Sequence, residues 1–240
     1  MSKNVVFMLS PWLLDGTLNS WKYWCNKYDV TLFNLKETIT HDMPVSWQKY
    51  YLFDVLDHNK IDYNQVLIVD NNTIIHPECP NFFKKTDGKY CIVPDETNYN
   101  EIIKGMGFLI DKIFKKEDFP FYECGNTGFQ IVNKNHKKLF GLMIDYYYEN
   151  VDIINSCGFL KITPEQLFLN FILRNQKIDL KLLPWKFNMT YMHVKEIIGN
   201  SMIHTKVGHI MNFNGLPKKT ISDWVEMTYN HLYNINSINK

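Results

Sequence analysis

Arginine is almost missing from this chain: Arg174 is the sole example, and every other basic side chain is lysine. A charge excess is missing too. The net charge is +1 and the lysines are spread along the sequence, so no basic stripe gathers phosphates and nucleic acid is not favoured as a partner. A glycine-rich phosphate fingerprint is also lacking. Gly105-Met106-Gly107 falls inside a helix-like stretch without the remainder of GxGxxG, which disfavours a Rossmann dehydrogenase and a P-loop NTPase.

The five cysteines (Cys25, Cys79, Cys91, Cys124, Cys157) are scattered and contain no CxxC pair. Buried, reduced thiols are the expectation, ahead of a loose zinc site from His76, Cys79 and Cys91. No apolar run is long enough to span a bilayer. The opening run, broken by Pro11, is too short for a signal peptide. A cytoplasmic protein without a membrane span is expected.

What the chain does have is globular composition: 240 residues, 45% hydrophobic and 21% charged, with a high aromatic share of 15%. Apolar runs at Val5–Leu9, Val30–Leu35 and Asn64–Val69 read as strands. Aromatic residues at helical spacing lie between them (Leu18 to Tyr28; Trp47 to Leu56). Strand-helix-strand-helix-strand with short connections implies parallel strands and right-handed crossovers. Further along, Gly128–Val132 reads as a strand. Helices are expected over Lys134–Asn150, Pro164–Asn175 (Thr163 capping, Pro164 first in the helix) and Ile221–Ile235. Segments near Pro94–Asn100 and Lys115–Pro120 read as loops. One domain is expected over 1–240, with a nucleotide-binding half at about 1–95, an acceptor half at about 96–220 and a closing helix at 221–236.

In parallel sheets ligands bind beyond the carboxyl ends of the strands. Two features stand there: Ser10-Pro11 after the first strand and Asp70-Asn71-Asn72 after the third. Taken alone, Asp70–Thr73 and Asn126-Thr127-Gly128 are equally readable as turns. Glu165 and Gln166 are equally first-turn residues favoured by a helix dipole. Gly215 and Lys218 also suit a surface turn, and Lys49 a solvated helix face.

Five segments in order carry a resemblance. Asp70-Asn71-Asn72 after its apolar strand resembles the DxD segment of GT-A glycosyltransferases. Asn126-Thr127-Gly128 resembles the N-[ST]-G segment of glycosyltransferase family 8. Glu165-Gln166 with Leu169-Asn170 resembles that family's DQxxLN helix start, Leu183–Asn188 its LPxxWN segment, and Asn212–Lys218 its HFxGxxKP segment. The resemblance implies an α/β fold, with a GT-A-type (Rossmann-like) mostly parallel sheet flanked by helices. It also implies a glycosyltransferase moving a sugar from a nucleotide-diphosphate sugar, a UDP-sugar favoured, to an acceptor hydroxyl.

The roles it implies are specific. Asp70, Asn72 and Asn212 or His209 would hold a divalent cation, Mn²⁺ or Mg²⁺. Ser10, Lys49, Asn71, Gly215 and Lys218 would bind the donor, while Asn126, Glu165 and Gln166 would sit at the reacting sugar. Three departures stand out: Asn72 replaces the second acid of DxD, Asn212 replaces the metal-binding histidine, and Glu165 replaces aspartate. The neutral substitutions favour the alternative of a non-catalytic sugar-nucleotide or glycan-binding protein. A nucleotidyltransferase would want a glycine- and arginine-rich loop after the first strand, which Ser10–Gly16 does not offer.

Overall fold

The computed structural model describes residues 3–10, 12, 14–96, 99–115, 119–160 and 162–234. Pro11, parts of both expected loops and the last residues of the expected closing helix lie outside the described residues. Among those described, the strands are β1 (Lys3–Leu9), β2 (Thr31–Leu35), β3 (Tyr63–Val69), β4 (Thr73–Ile75), β5 (Tyr90–Pro94), β6 (Gly125–Asn133), β7 (Leu180–Leu182) and β8 (Ile210–Asn212). The helices are α1 (Asp15–Tyr28), α2 (Val45–Gln48), α3 (Leu52–His58), α4 (Tyr99–Leu109), α5 (Lys137–Glu149), α6 (Val151–Ser156), α7 (Pro164–Asn175), α8 (Ile203–Val207) and α9 (Lys218–Tyr229).

Six strands form one sheet in the order β2-β1-β3-β6-β5-β7. β1 pairs in parallel with β2 and β3, and β5 with β7, while β6 lies antiparallel between β3 and β5. Five strands therefore share one direction and β6 opposes them. Two-residue periodicity sorts their side chains into two cores. Val5, Phe7, Val66, Ile68 and Ile92 face a core shared with α3, α4, α5 and α7. Val6, Met8, Leu67, Val69 and Val93 face a second core with Trp21 and Trp24 of α1. With both faces covered, the central strands read as continuous apolar runs, which is why β1 and β3 stand out in the sequence.

β4 and β8 form a separate antiparallel ribbon, with Thr73 opposite Asn212 and Ile75 opposite Ile210. Trp21 ties this ribbon to α1: its indole N–H donates to Thr73 Oγ1 (2.9 Å), and that hydroxyl donates to the Asp70 carbonyl (2.8 Å). The turn after β3 is thus held from below by a buried tryptophan.

Some expectations are corrected here. Asn126-Thr127-Gly128 is no hairpin turn but part of the long strand β6. The Pro94 region, read as loop, includes the end of β5. The closing helix begins earlier, at Lys218, and passes into a π-helical turn over Asn230–Asn234. Thr163 stands at the N-cap of α7 without a capping hydrogen bond; its hydroxyl donates instead to Glu165 Oε2 (3.3 Å). All five cysteines are free and buried. Among the described residues, no helix is long and apolar enough to cross a membrane.

Two buried histidines give the fold an acid limit. Burial pushes both His136 and His204 down to about 4. His136 Nδ1 accepts the Asn133 N–H (3.0 Å), a bond that protonation there would break. Unfolded imidazoles titrate near 6.5, so between pH 6.5 and 4 the unfolded chain binds more protons and stability falls with pH. Above pH 6.5 both states are neutral and nothing is lost. Each histidine should remove about 2 kcal/mol on going from pH 7 to pH 5, since one pKa unit is about 1.4 kcal/mol. Urea unfolding at the two pH values reads this. His136→Gln should recover about half of the combined histidine loss, and equal wild-type stabilities would refute the account.

Candidate functional site

The sheet directions decide which residues meet. Ser10, Asp70 and Asp95 follow the carboxyl ends of β1, β3 and β5. Because β6 runs the opposite way, its first residues, Asn126 to Gly128, enter at that same edge. The first turn of α7 brings Glu165 and Gln166 there, and the turn after α2 brings Lys49. β8 ends there too, delivering Asn212. These groups border a polar cleft of about 190 Å³, whose walls include Lys49, Asp70, Asn71, Asn126, Glu165 and Gln166.

A chain of buried amides runs along the floor. Asn212 Nδ2 donates to Asp70 Oδ2 (3.1 Å) and to Asn188 Oδ1 (3.0 Å). Asn188 Nδ2 donates to Asn126 Oδ1 (2.8 Å). Asn126 Nδ2 donates to Gln166 Oε1 (3.1 Å) and Asp95 Oδ2 (3.3 Å), and Gln166 Nε2 donates to Asp95 Oδ2 (3.0 Å). Four amides therefore connect two carboxylates, and all four are at most 4% exposed. Such a buried network is stable because its members satisfy one another.

Gly128 makes room for the network. A Cβ on it would lie 2.3 Å from Asp70 Oδ2, 2.8 Å from Asn212 Nδ2 and 2.9 Å from Asn126 Oδ1. Its N–H also donates to Asn126 Oδ1 (3.0 Å).

The second cluster is ionic. Glu165, 1% exposed, faces Lys49 Nζ at 3.2 Å. Its carboxylate also accepts from Tyr50 Oη (2.5 Å) and Thr127 Oγ1 (3.0 Å), and Lys49 Nζ donates to the Thr127 carbonyl (3.1 Å). Burial, then the Glu165 charge, holds the Tyr50 phenol well above its usual range, so it remains a donor. Glu165 is thus a first-turn residue of α7 whose carboxylate is buried and partnered by Lys49, Tyr50 and Thr127. Lys49 is likewise buried, not a solvated lysine.

At the other wall Asn71 Nδ2 donates to Ser10 Oγ (2.9 Å) and to the carbonyl of Trp12 (3.4 Å), whose side chain is 80% exposed. Gly215 has φ +84°, a left-handed conformation suited to glycine, and a Cβ there would lie 2.7 Å from the Tyr191 ring. Gly215 and Lys218 stand on the exposed segment after β8, outside the cleft walls.

The expected cation ligands part company. Asn72 Oδ1 is buried without a hydrogen-bond partner, as a vacant oxygen ligand would be. Asp70 has Oδ2 engaged by Asn212, leaving Oδ1. Asn212 Oδ1 accepts the Asn214 N–H (3.0 Å) while its Nδ2 points at the Asp70 carboxylate, and those two partners fix which end is which. His209 stands apart from these residues. It lies at the opposite end of the β4–β8 ribbon from Asn212, its carbonyl accepts from His76 N (2.8 Å), and its ring packs on Phe187. Burial, then the neighbouring Lys186 cation, holds that imidazole below its usual value. Among the described residues no group of three or more His, Cys, Asp or Glu side chains could hold a metal. Of the expected ligands, Asp70 borders the cleft and Asn72 does not; a carboxylate and an amide oxygen are both donors of the kind a hard cation takes.

Two members of the network, Asp95 and Asn188, were not singled out from the sequence. Asp95 follows Pro94 in a segment read as loop. Asn188 closes the Leu183–Asn188 segment, whose final asparagine was the available signal.

No protein-family model matches the chain, and no curated protein matches it. Solved structures do. A glycosyltransferase involved in glycosylation of the major capsid of PBCV-1 superposes with TM-score 0.63 at 9% identity, over 94% of this chain and 99% of that one. The galactosyltransferase LgtC, solved with donor and acceptor sugar analogs, gives TM-score 0.54 at 8% identity, over 96% of each chain. GlyE of Streptococcus pneumoniae TIGR4 gives 0.52 at 10%, over 98% of this chain and 63% of that one. The fold is therefore that of the GT-A glycosyltransferases: α/β, one domain, a mostly parallel sheet between helices.

Proposed function

We propose that the protein transfers a hexosyl or pentosyl group from a nucleotide-diphosphate sugar, a UDP-sugar favoured, to an acceptor hydroxyl. The observation that carries this reading is the buried network joining Asp70, at the strand end, to Asn126 and Gln166 in one polar cleft of a GT-A fold. Residues 1–95 would form the nucleotide half, and 96–220 the acceptor half.

In this reading Ser10 and Asn71 border the nucleotide, and Asp70 with Asn72 would hold Mn²⁺ or Mg²⁺. The cation, when bound, neutralises the leaving diphosphate. Lys218, at the start of α9, adds a positive charge, and Gly215 lets the backbone turn tightly beside it. Asn126 and Gln166, fixed by the network, present amide groups to the donor sugar without reorganising, as electrostatic preorganisation requires. The Lys49–Glu165 pair gives the cleft a charge-balanced wall. Five buried thiols suit a reducing cytoplasm.

A panel of UDP-sugars with Mn²⁺ or Mg²⁺, monitored for free UDP, tests the reading. Wild type should release UDP from at least one donor, and Asp70→Ala should lose about 100-fold or more of that rate, the scale of removing one preorganised electrostatic group. The neutral Asn72 and Asn212 favour a second reading, a non-catalytic sugar-nucleotide-binding protein. Donor binding without UDP release, with or without added acceptor, would select that second reading. A protein that neither binds nor turns over any donor would overturn both.

A further inference from the structure

We infer that the acceptor carries a neutral alkyl or aryl group beside its hydroxyl, and that this group lies in an apolar groove adjoining the polar cleft. This rests on the proposed glycosyl transfer and names a class of acceptor for it.

The groove, of about 410 Å³, runs between the start of α2, the end of α6 and the link from α6 to α7. Trp47, Ile154 and Ile162 form its floor; all three are buried and belong to the core packed against α3, α4, α5 and α7. Pro44, Leu160 and Pro164 line it nearer to solvent. Among the described residues no charged side chain lines it, and its polar side chains are Ser46, Asn155 and Thr163. Such a lining suits an uncharged, apolar ligand fixed by few hydrogen bonds. A phosphate or a run of sugar hydroxyls would lose water there without gaining partners. An aliphatic and aromatic cavity of about 150 Å³ already holds benzene, so the groove has room for a short alkyl chain or an aromatic ring.

Its position assigns that ligand to the acceptor. Ser46 and Thr163 line both the groove and the polar cleft, so the two hollows adjoin beside Glu165, to which Thr163 Oγ1 donates. The groove shares none of Ser10, Asp70 or Asn71 with the cleft. A molecule that lies in both hollows therefore leads away from the proposed nucleotide wall. Apolar side chains also stay in water along this track. Val45, in the cleft lining next to Ser46, is exposed, and so is Phe159, between the groove residues Gly158 and Leu160. Exposed apolar surface gathered beside a polar site is characteristic of a ligand groove. Gly158 lines the groove without filling it: a Cβ there would meet nothing within 4 Å, so a large side chain at this position enters open space instead of the core.

Saturation-transfer NMR and calorimetry with methyl and hexyl β-glucosides and β-galactosides, with and without UDP, measure the groove directly. Burying one methylene favours binding by about fourfold, and an open groove should realise about twofold to fourfold. Going from methyl to hexyl should therefore tighten binding to wild type by about 30-fold or more. Gly158→Trp, which fills the groove, should erase that gain. Gly141→Trp sets the same ring on α5, where a Cβ also meets nothing, and should keep it. UDP and the hexyl glycoside should bind together. The wild-type series and the pairing with UDP are read without either variant. Equal binding of methyl and hexyl glycosides, or a gain that survives in Gly158→Trp, overturns the groove and leaves the transferase reading standing. Mutual exclusion of UDP and the hexyl glycoside overturns the assignment to the acceptor. A protein that neither binds UDP nor releases it from any donor overturns the transferase reading, and the acceptor role of the groove with it.

Discussion

Gly128→Ala is expected to cut the proposed UDP release from sugar donors sharply while leaving a folded protein. The added methyl would sit 2.3 Å from Asp70 Oδ2, far inside non-bonded contact distance, and within 3 Å of Asn212 and Asn126 as well. All three are fixed in one network, so none withdraws without breaking a hydrogen bond. The strain should appear as about 1–3 kcal/mol of lost stability, the usual scale of overpacking a well-filled interior. If the proposed reaction holds, the loss of UDP release should be larger, about 100-fold or more, because the residues pushed apart are those proposed to fix charge and direction in the cleft. Gly141→Ala is the matched control: a Cβ there meets nothing, and it lies within α5, where alanine is favoured by about 0.5–1 kcal/mol. Paired melting curves and UDP-release rates decide it. A Gly128→Ala protein with wild-type turnover would show that the network is dispensable.

The second large effect is expected at the buried ion pair. Lys49→Met removes the cation facing Glu165, whose carboxylate is 1% exposed. Breaking a buried pair by deleting one partner typically costs about 3–5 kcal/mol, because a charge is left without its counter-charge. Tyr50, Thr127 and Thr163 still donate to that carboxylate, which puts the expected loss near the lower end, about 3 kcal/mol. Glu165→Gln strands the lysine in the same way. The double variant should lose less than the sum of the two, with a coupling of about 0.5–3 kcal/mol in a double-mutant cycle. Urea unfolding of the four proteins measures it. Strict additivity would mean that the pair is solvated and that Glu165 is not confined as described.

The outline of the fold was readable because its central strands are buried on both faces. The apolar runs at Val5–Leu9 and Asn64–Val69 become β1 and β3 with little change of boundary, and Pro164 marks the first residue of α7. The short strands were not readable. β4, β7 and β8 have three residues each, too few to show any period. Without β4 and β8 there was no ribbon, and without the ribbon nothing separated Asn212 from His209. Asn126-Thr127-Gly128 has turn composition, yet here its small residues let β6 pass close to Asp70. Motif resemblance brought out Asp70, Asn126, Glu165 and Gln166, which the fold gathers at one edge. It did not bring out Asp95 or Asn188, whose part is to satisfy buried amides, a task visible only once the partners are in place.

The ribbon also sets a timetable. Asp70 and Asn212 are separated by 142 residues, and β4 has no partner strand until β8 has been made. On a ribosome adding about 5–20 residues per second, the turn carrying Asp70 would emerge roughly 7–30 s before the amide that braces it. During that interval the growing chain holds the residues of β1, β2 and β3 but not those that complete the buried network, because Asn188 and Asn212 come later in the sequence. Until Asn188 and Asn212 have been made, Asp70 and Asn126 have no amides to join them.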